Sequence, residues 1–255
     1  VTGLERAALR LAPGRHVAVT WSDPNAAPLL LLRALAAGAA GARVVAPDWP
    51  ADPDAWLRRA AARHGLEEEA ERVLAAEPCR ADVGPRLIHS ETQRPRSWWL
   101  RADPSVADIR NLVAPADVAV DGIVLGQYER DPGRRLRIMA GLGARWLVLN
   151  VPVLLPSPTL AAVGFTAEAF WHAPLLAPAQ WGAVDAHLRT LNLALPQFAT
   201  LSPGFSRAEG VAIQPDLWWW FMGEAGLERL LECEGWRLRR LERDGAHAVA
   251  TAERA

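Results

Sequence analysis

Lysine is missing from this chain: all 28 basic side chains among its 255 residues are arginine, which removes Schiff-base and other lysine-centred chemistry. Net charge is equally scarce, at −1, so there is no broad basic field for a phosphate backbone and nucleic acid is not an expected partner. The two cysteines, Cys79 and Cys233, lie far apart and fit no zinc spacing. They read as unpaired thiols of a reducing compartment. No apolar run approaches the ~20 residues that a membrane crossing needs, and the first residues show no charged segment followed by an apolar core and cleavage site. A soluble, cytoplasmic protein with no membrane role is the expectation.

What is present is core-forming material. Apolar residues make up 51% of the chain and charged ones 22%, ample for a buried interior. The length suits a single α/β domain with an insertion. Heavy use of Ala, Leu, Arg, Gly and Pro points to a source genome rich in G and C.

Val17 to Asp48 is the most informative stretch. His-Val-Ala-Val-Thr reads as a strand, Pro28 to Ala40 as an apolar helix, and Ala42 to Ala46 as a second strand closed by Pro47-Asp48. That is the βαβ unit of a doubly wound sheet, whose ligands settle outside the carboxyl ends of the strands. Ahead of it, residues 1–12 form a short amphipathic helix stopped by Pro13-Gly14. After it, one helix is expected from Asp54 through Glu77, capped by Asp52 or Asp54. Leu87-Ile88-His89 is a candidate third strand, Asp117 to Leu125 a strand buried on both faces, and Arg145 to Leu149 another, with a helix after Pro132-Gly133. From Leu154 to Pro215 prolines and isolated aromatics replace periodicity, the pattern of a lid, a substrate-binding insertion or an interface. A helix over Gly223 to Glu234 and two extended runs joined at Asp244-Gly245 close the chain as a β-hairpin.

This order resembles the class I S-adenosylmethionine-dependent methyltransferase family. Glu228-Arg-Leu-Leu-Glu-Cys-Glu-Gly-Trp-Arg-Leu-Arg-Arg-Leu is similar to that family's late helix ending in a glycine before its penultimate strand. Ala116 to Pro132 is similar to its fourth strand and following loop, and Arg145 to Pro152 to its fifth. The resemblance spans most of residues 10–252 and rests on the order of elements. It implies a Rossmann-like, doubly wound, mostly parallel sheet with a C-terminal antiparallel β-hairpin and an inserted lid at 154–221, all within one domain. It further implies S-adenosylmethionine as cofactor and a small-molecule acceptor, in bacterial secondary metabolism. The glycine loop after the first strand is degenerate, with Trp21, Asp23 and Asn25 where glycines are expected; these three and Asp48, placed for the ribose, are the cofactor-binding candidates. Gly126-Gln127 similarly replaces an acid and a histidine seen in many members.

The remaining candidates come from residue chemistry. His172, in Phe170-Trp171-His172-Ala173-Pro174, sits among aromatics that would exclude water and is the candidate general base; Gln127 and Tyr128 lie just past a strand end. Trp171, Trp218 and Trp219 are the candidate substrate-binding residues, because Trp218-Trp219-Trp220-Phe221 cannot all face one core from one helix. Each of these residues also has a plain packing or turn role open to it. His89 with Glu91 and Asp185 with His187 lack a third partner at metal spacing, so no metal is expected. Two further functions stay open: the same fold running a cyclisation or elimination, and a noncatalytic partner subunit in a homodimer or hetero-complex.

Overall fold

The structure is a computed structural model that describes residues 2–20, 27–46, 52–75, 99–101, 116–122, 125, 131–151, 153–190, 220–244 and 247–255. The chain divides into two compact units, Val1–Ile123 with Leu136–Leu149 and Arg254, and Val124–Arg135 with Asn150–Glu253 and Ala255.

The first unit opens with α1 (Gly3–Leu11), held by a capping box: Thr2 Oγ1 accepts from the Glu5 amide at 3.2 Å while Glu5 Oε2 accepts from the Thr2 amide at 2.8 Å. The other Glu5 oxygen takes Arg33 at 2.7 Å, tying α1 to the next helix. Strands β1 (His16–Thr20), β2 (Gly41–Ala46), β3 (Trp99–Arg101), β4 (Val118–Asp121) and β5 (Trp146–Val151) run parallel in the order β3-β2-β1-β4-β5. Helix α2 (Ala27–Ala36) joins β1 to β2, and α5 (Pro132–Gly141) joins β4 to β5. These crossovers step away from β1 in opposite directions, so right-handed connections place α2 and α5 on opposite faces. The result is a Rossmann-like, doubly wound α/β fold.

The near-continuous apolar sequence of α2 follows from its position. It packs on β1 and β2 on one side and meets α1, α3 (Pro53–Ala62) and α4 (Glu67–Ala75) elsewhere, burying Leu30, Leu31, Leu32, Ala34 and Leu35. The one helix expected over Asp54–Glu77 is corrected to two. Gly65 takes a left-handed φ of +67°, which turns the chain between α3 and α4 where a side chain would be strained. Asp52 does cap α3, accepting from the Ala55 amide at 3.0 Å. The third strand is Trp99–Arg101; the candidate Leu87-Ile88-His89 lies outside the described residues.

In the second unit, the tract expected to lack periodicity holds regular structure: α6 (Pro158–Ala161), β6 (Phe170–His172), a 3-10 turn (Ala173–Leu175) and α7 (Pro178–Thr190). Pro158 and Pro178 occupy first helical positions, where a proline starts a helix instead of breaking it. Trp181, Val184 and Leu188 of α7 pack with Leu154, Leu160, Phe165 and Phe221 into a cluster of their own. Strand β6 pairs antiparallel with β7 (Trp220–Met222), and Val153 bridges Met222. Helix α8 (Glu224–Cys233) leads into neighbouring strands β8 (Trp236–Asp244) and β9 (His247–Arg254), the C-terminal antiparallel hairpin. Its closing turn at 245–246 lies outside the described residues.

The start of α8 is packed too closely for a side chain: a Cβ on Gly223 would sit 2.2 Å from the Ala167 carbonyl oxygen, whereas one on Gly182 in α7 meets nothing within 4 Å. Gly223→Ala should therefore lose at least about 2 kcal/mol in urea unfolding, while Gly182→Ala should gain about 0.5–1 kcal/mol. Equal effects would contradict this packing.

Candidate functional site

The strand order reverses its winding at β1 and β4, and in doubly wound folds that reversal opens the ligand crevice at the carboxyl ends of the two strands. The residues there are Thr20 and Asp121, partners in register across the parallel pair. Thr20 is 0% exposed and Asp121 1%, although both end strands at the rim of the sheet. Thr20 Oγ1 donates to Asp121 Oδ1 at 3.1 Å and also lies 3.7 Å from Met139 Sδ on α5. The chain past Asp121 is held down by the Gly122 amide, which donates to the Thr20 carbonyl at 2.8 Å. A buried carboxylate is costly unless it is hydrogen-bonded, and the threonine hydroxyl supplies one such bond.

At the opposite edge, Asp117 anchors the same two strands, its Oδ2 accepting from the His16 amide at 2.8 Å. Both ends of the β1–β4 pair are thus fixed by an aspartate of β4 or its approach, which sets the height of Thr20 against Asp121 and so the shape of the rim.

Of the sequence-predicted residues, Trp21, Asp23 and Asn25 follow directly on Thr20 in the chain and Asp48 follows β2; all four lie outside the described residues, as do Gln127, Tyr128, Trp218 and Trp219. His172 and Trp171 are described, on β6 in the second unit. They are neighbours in sequence and point to opposite faces of their strand. His172 pairs with Trp220, ring centroids 4.5 Å apart, whereas Trp171 pairs with Phe221 and sets its ring edge-on to Phe165 at 4.9 Å, against the cluster. Thr20 and Asp121 were not among the sequence candidates. The signal that marks them is an apolar strand, Val-Ala-Val, closed by an acid.

No group of three His, Cys, Asp or Glu among the described residues could hold a metal ion. Asp185 instead accepts from Arg189 at 3.1 Å, one helical turn on. His187 is pushed below the ordinary imidazole range by burial. Its folded form therefore favours the neutral ring, and its contribution to stability is present above about pH 6.5 and is lost as the pH falls below that value. His187→Gln should flatten the decline in melting temperature between about pH 7 and about pH 5; an unchanged slope would contradict the burial of that ring.

No protein-family model matches the sequence, and a search of curated proteins finds no match. Among solved structures, the chain is similar to a mitomycin 7-O-methyltransferase, at 16% identity and a TM-score of 0.48, over 98% of this chain and 53% of that one. The chain spans about half the length of that protein. It is similar also to the 1,6-didemethyltoxoflavin-N1-methyltransferase of Burkholderia thailandensis, solved with S-adenosylhomocysteine, at 13% identity and a TM-score of 0.47, over 100% and 79% of the two chains. A Zn-dependent alcohol dehydrogenase of Rhodobacter sphaeroides has 13% identity and a TM-score of 0.49, over 98% and 89%. At such identities these likenesses concern the course of the chain and not its chemistry. No helix among the described residues is long and apolar enough to cross a membrane.

The Thr20–Asp121 bond is directly testable. Thr20→Val leaves the buried carboxylate short of a donor and should lower unfolding stability by about 1–3 kcal/mol. Thr20→Ser keeps the hydroxyl and should cost less than about 1 kcal/mol. A Thr20→Ser cost as large as or larger than that of Thr20→Val in urea titrations would contradict a stabilising role for the hydrogen bond.

Proposed function

We propose that this protein is an S-adenosylmethionine-dependent methyltransferase acting in the bacterial cytoplasm on a small aromatic or apolar molecule of secondary metabolism. The observation that carries the reading is the carboxylate at the winding reversal. A dinucleotide at this place presents a pyrophosphate, which an adjacent acid repels; a sulfonium nucleoside brings a positive sulfur and is attracted. The groups that end β1 and β4 support this reading: the Thr20–Asp121 pair sets a buried acid at the reversal, with half-buried Gly122 directly beyond it.

On this reading Trp21, Asp23 and Asn25 line the cofactor, Asp48 accepts from its ribose hydroxyls, and Asp121 supplies countercharge. When bound, the cofactor supplies a methyl carbon activated by the positive sulfur. The protein's part is to hold the acceptor in line with that carbon, exclude water and receive a proton. His172 is the residue best suited to receive it, with Tyr128 and Gln127 orienting the acceptor and Trp218 and Trp219 enclosing it, whereas Trp171, on the other face of β6, serves the cluster.

Calorimetry tests the cofactor directly. S-adenosylmethionine and S-adenosylhomocysteine should both bind, and Asp121→Asn should weaken the cationic form about tenfold while changing the neutral thioether by less than about threefold. Absence of binding by either compound would end the methyltransferase reading in favour of a noncatalytic partner subunit. Binding without methyl transfer to any acceptor would favour the cyclisation or elimination alternative.

A further inference from the structure

Strand β8 of the second unit comes last in its sheet, with β9 as its neighbour and no described strand beyond it. It runs for nine residues, about 30 Å, whereas the parallel strands have three to six. An edge strand presents a row of amides and carbonyls to any further strand, and proteins blunt such edges with brevity, proline, bulges or charge. Trp236–Asp244 contains neither proline nor glycine. Charge is the device left, and along β8 it comes in both signs.

Side chains alternate across a strand, so Arg240 and Glu242 share one face of β8, and Arg239, Leu241 and Arg243 share the other. Arg240 and Glu242 form an ion pair along the strand. On the other face the arginines are held by acids of the same unit. Arg239 Nη2 lies 2.7 Å from Glu253 on β9, and Arg243 lies 3.9 Å from Glu224 on α8 while donating from Nη1 to the Val153 carbonyl at 3.3 Å. Leu241, between those two arginines, is half-buried.

We infer that β8 pairs antiparallel with β8 of a second copy of this chain about a two-fold axis at Leu241; the inference does not depend on the methyltransferase reading. Opposed residues in an antiparallel pair share a face, so the axis has to pass through a residue and not between two. Centring on an arginine opposes arginine to arginine, and centring on Glu242 opposes acid to acid. Centring on Leu238 opposes Arg237 to Arg239 of the second copy. With Leu241 on the axis, that leucine meets its own equivalent, and Arg240 stands opposite Glu242 of the second copy, twice by symmetry. Four charges of alternating sign then form a square on one face, an arrangement that stabilises the strand pair. Arg239 also comes opposite Arg243 of the second copy, and the acids that hold these arginines limit the repulsion. The edge is therefore complementary to itself in this register.

The test uses the full chain. Light scattering should give twice the 27.7 kDa of one chain, with a Kd at or below about 10 μM. Arg240→Glu and Glu242→Arg should each weaken association about tenfold, because each sets like charges opposite, and the double exchange should return it to within about threefold of the original. Cross-linking checks the register. In a chain carrying Cys79→Ser and Cys233→Ser, Leu241→Cys should give a disulfide-linked dimer on mild oxidation, since opposed residues stand about 4.5–5.5 Å apart at Cα. Arg237→Cys, more than about 25 Å from its equivalent in this register, should not. Where a charge variant loses its native circular dichroism, the cross-linking comparison decides. A monomer at every attainable concentration, a dimer that neither single exchange weakens, a double exchange that restores nothing, or equal cross-linking of the two cysteine variants would each overturn the inference.

Discussion

The parallel pairing of β1 with β4, locked at its two ends by Asp117 and by the Thr20–Asp121 hydrogen bond, is the constraint on which the site depends. Winding reverses across this pair, so it is here that two crossovers leave for opposite faces, the place where doubly wound folds take their ligands. The lock also fixes which side chains reach the rim. A slip of one residue would turn Asp121 to the other face of the sheet and bring Gly122 level with Thr20. Register and chemistry are therefore one property at this place: the hydrogen bond that satisfies a buried acid also sets where its charge stands.

That charge decides between ligands that the fold alone does not separate. Rossmann-like sheets serve methyl donors and dinucleotides alike, and function has to be argued from the site. A buried acid at the end of β4 suits a cation better than it suits a pyrophosphate. The degenerate glycine loop is consistent with the same preference. Glycines at such a turn let backbone amides approach a pyrophosphate closely; this sequence has Trp21, Asp23 and Asn25 where they are expected.

Much of the fold was legible in the sequence because its signals were local. The alternation and β-branching of residues 16–20, the apolar run of α2 and the acid-capped start of α3 each act within a few residues. Gly65 was less legible, since a single glycine in a helical pattern reads as tolerated until its positive φ is known. Helix α7 was missed for a related reason: Pro178 starts a helix or ends one according to position, and the buried Trp181, Val184 and Leu188 form a stripe only once the cluster they serve is assembled. The site was less legible than the fold. Thr20 and Asp121 stand about 100 residues apart in the chain, and only strand register brings them together. His172 was noticed for its aromatic neighbours in sequence, yet the ring it stacks on, Trp220, comes from a strand 48 residues away.

The central claim is that an adenosyl ligand sits at the carboxyl ends of β1 and β4. Hydrogen–deuterium exchange with saturating S-adenosylhomocysteine tests it most directly. The account predicts slowed exchange in the peptides that contain Thr20 and Asp121–Gly122, with the amino-edge residues His16 and Asp117 unchanged. Protection confined to other parts of the chain, with the Thr20 and Gly122 peptides exchanging as in the free protein, would contradict it.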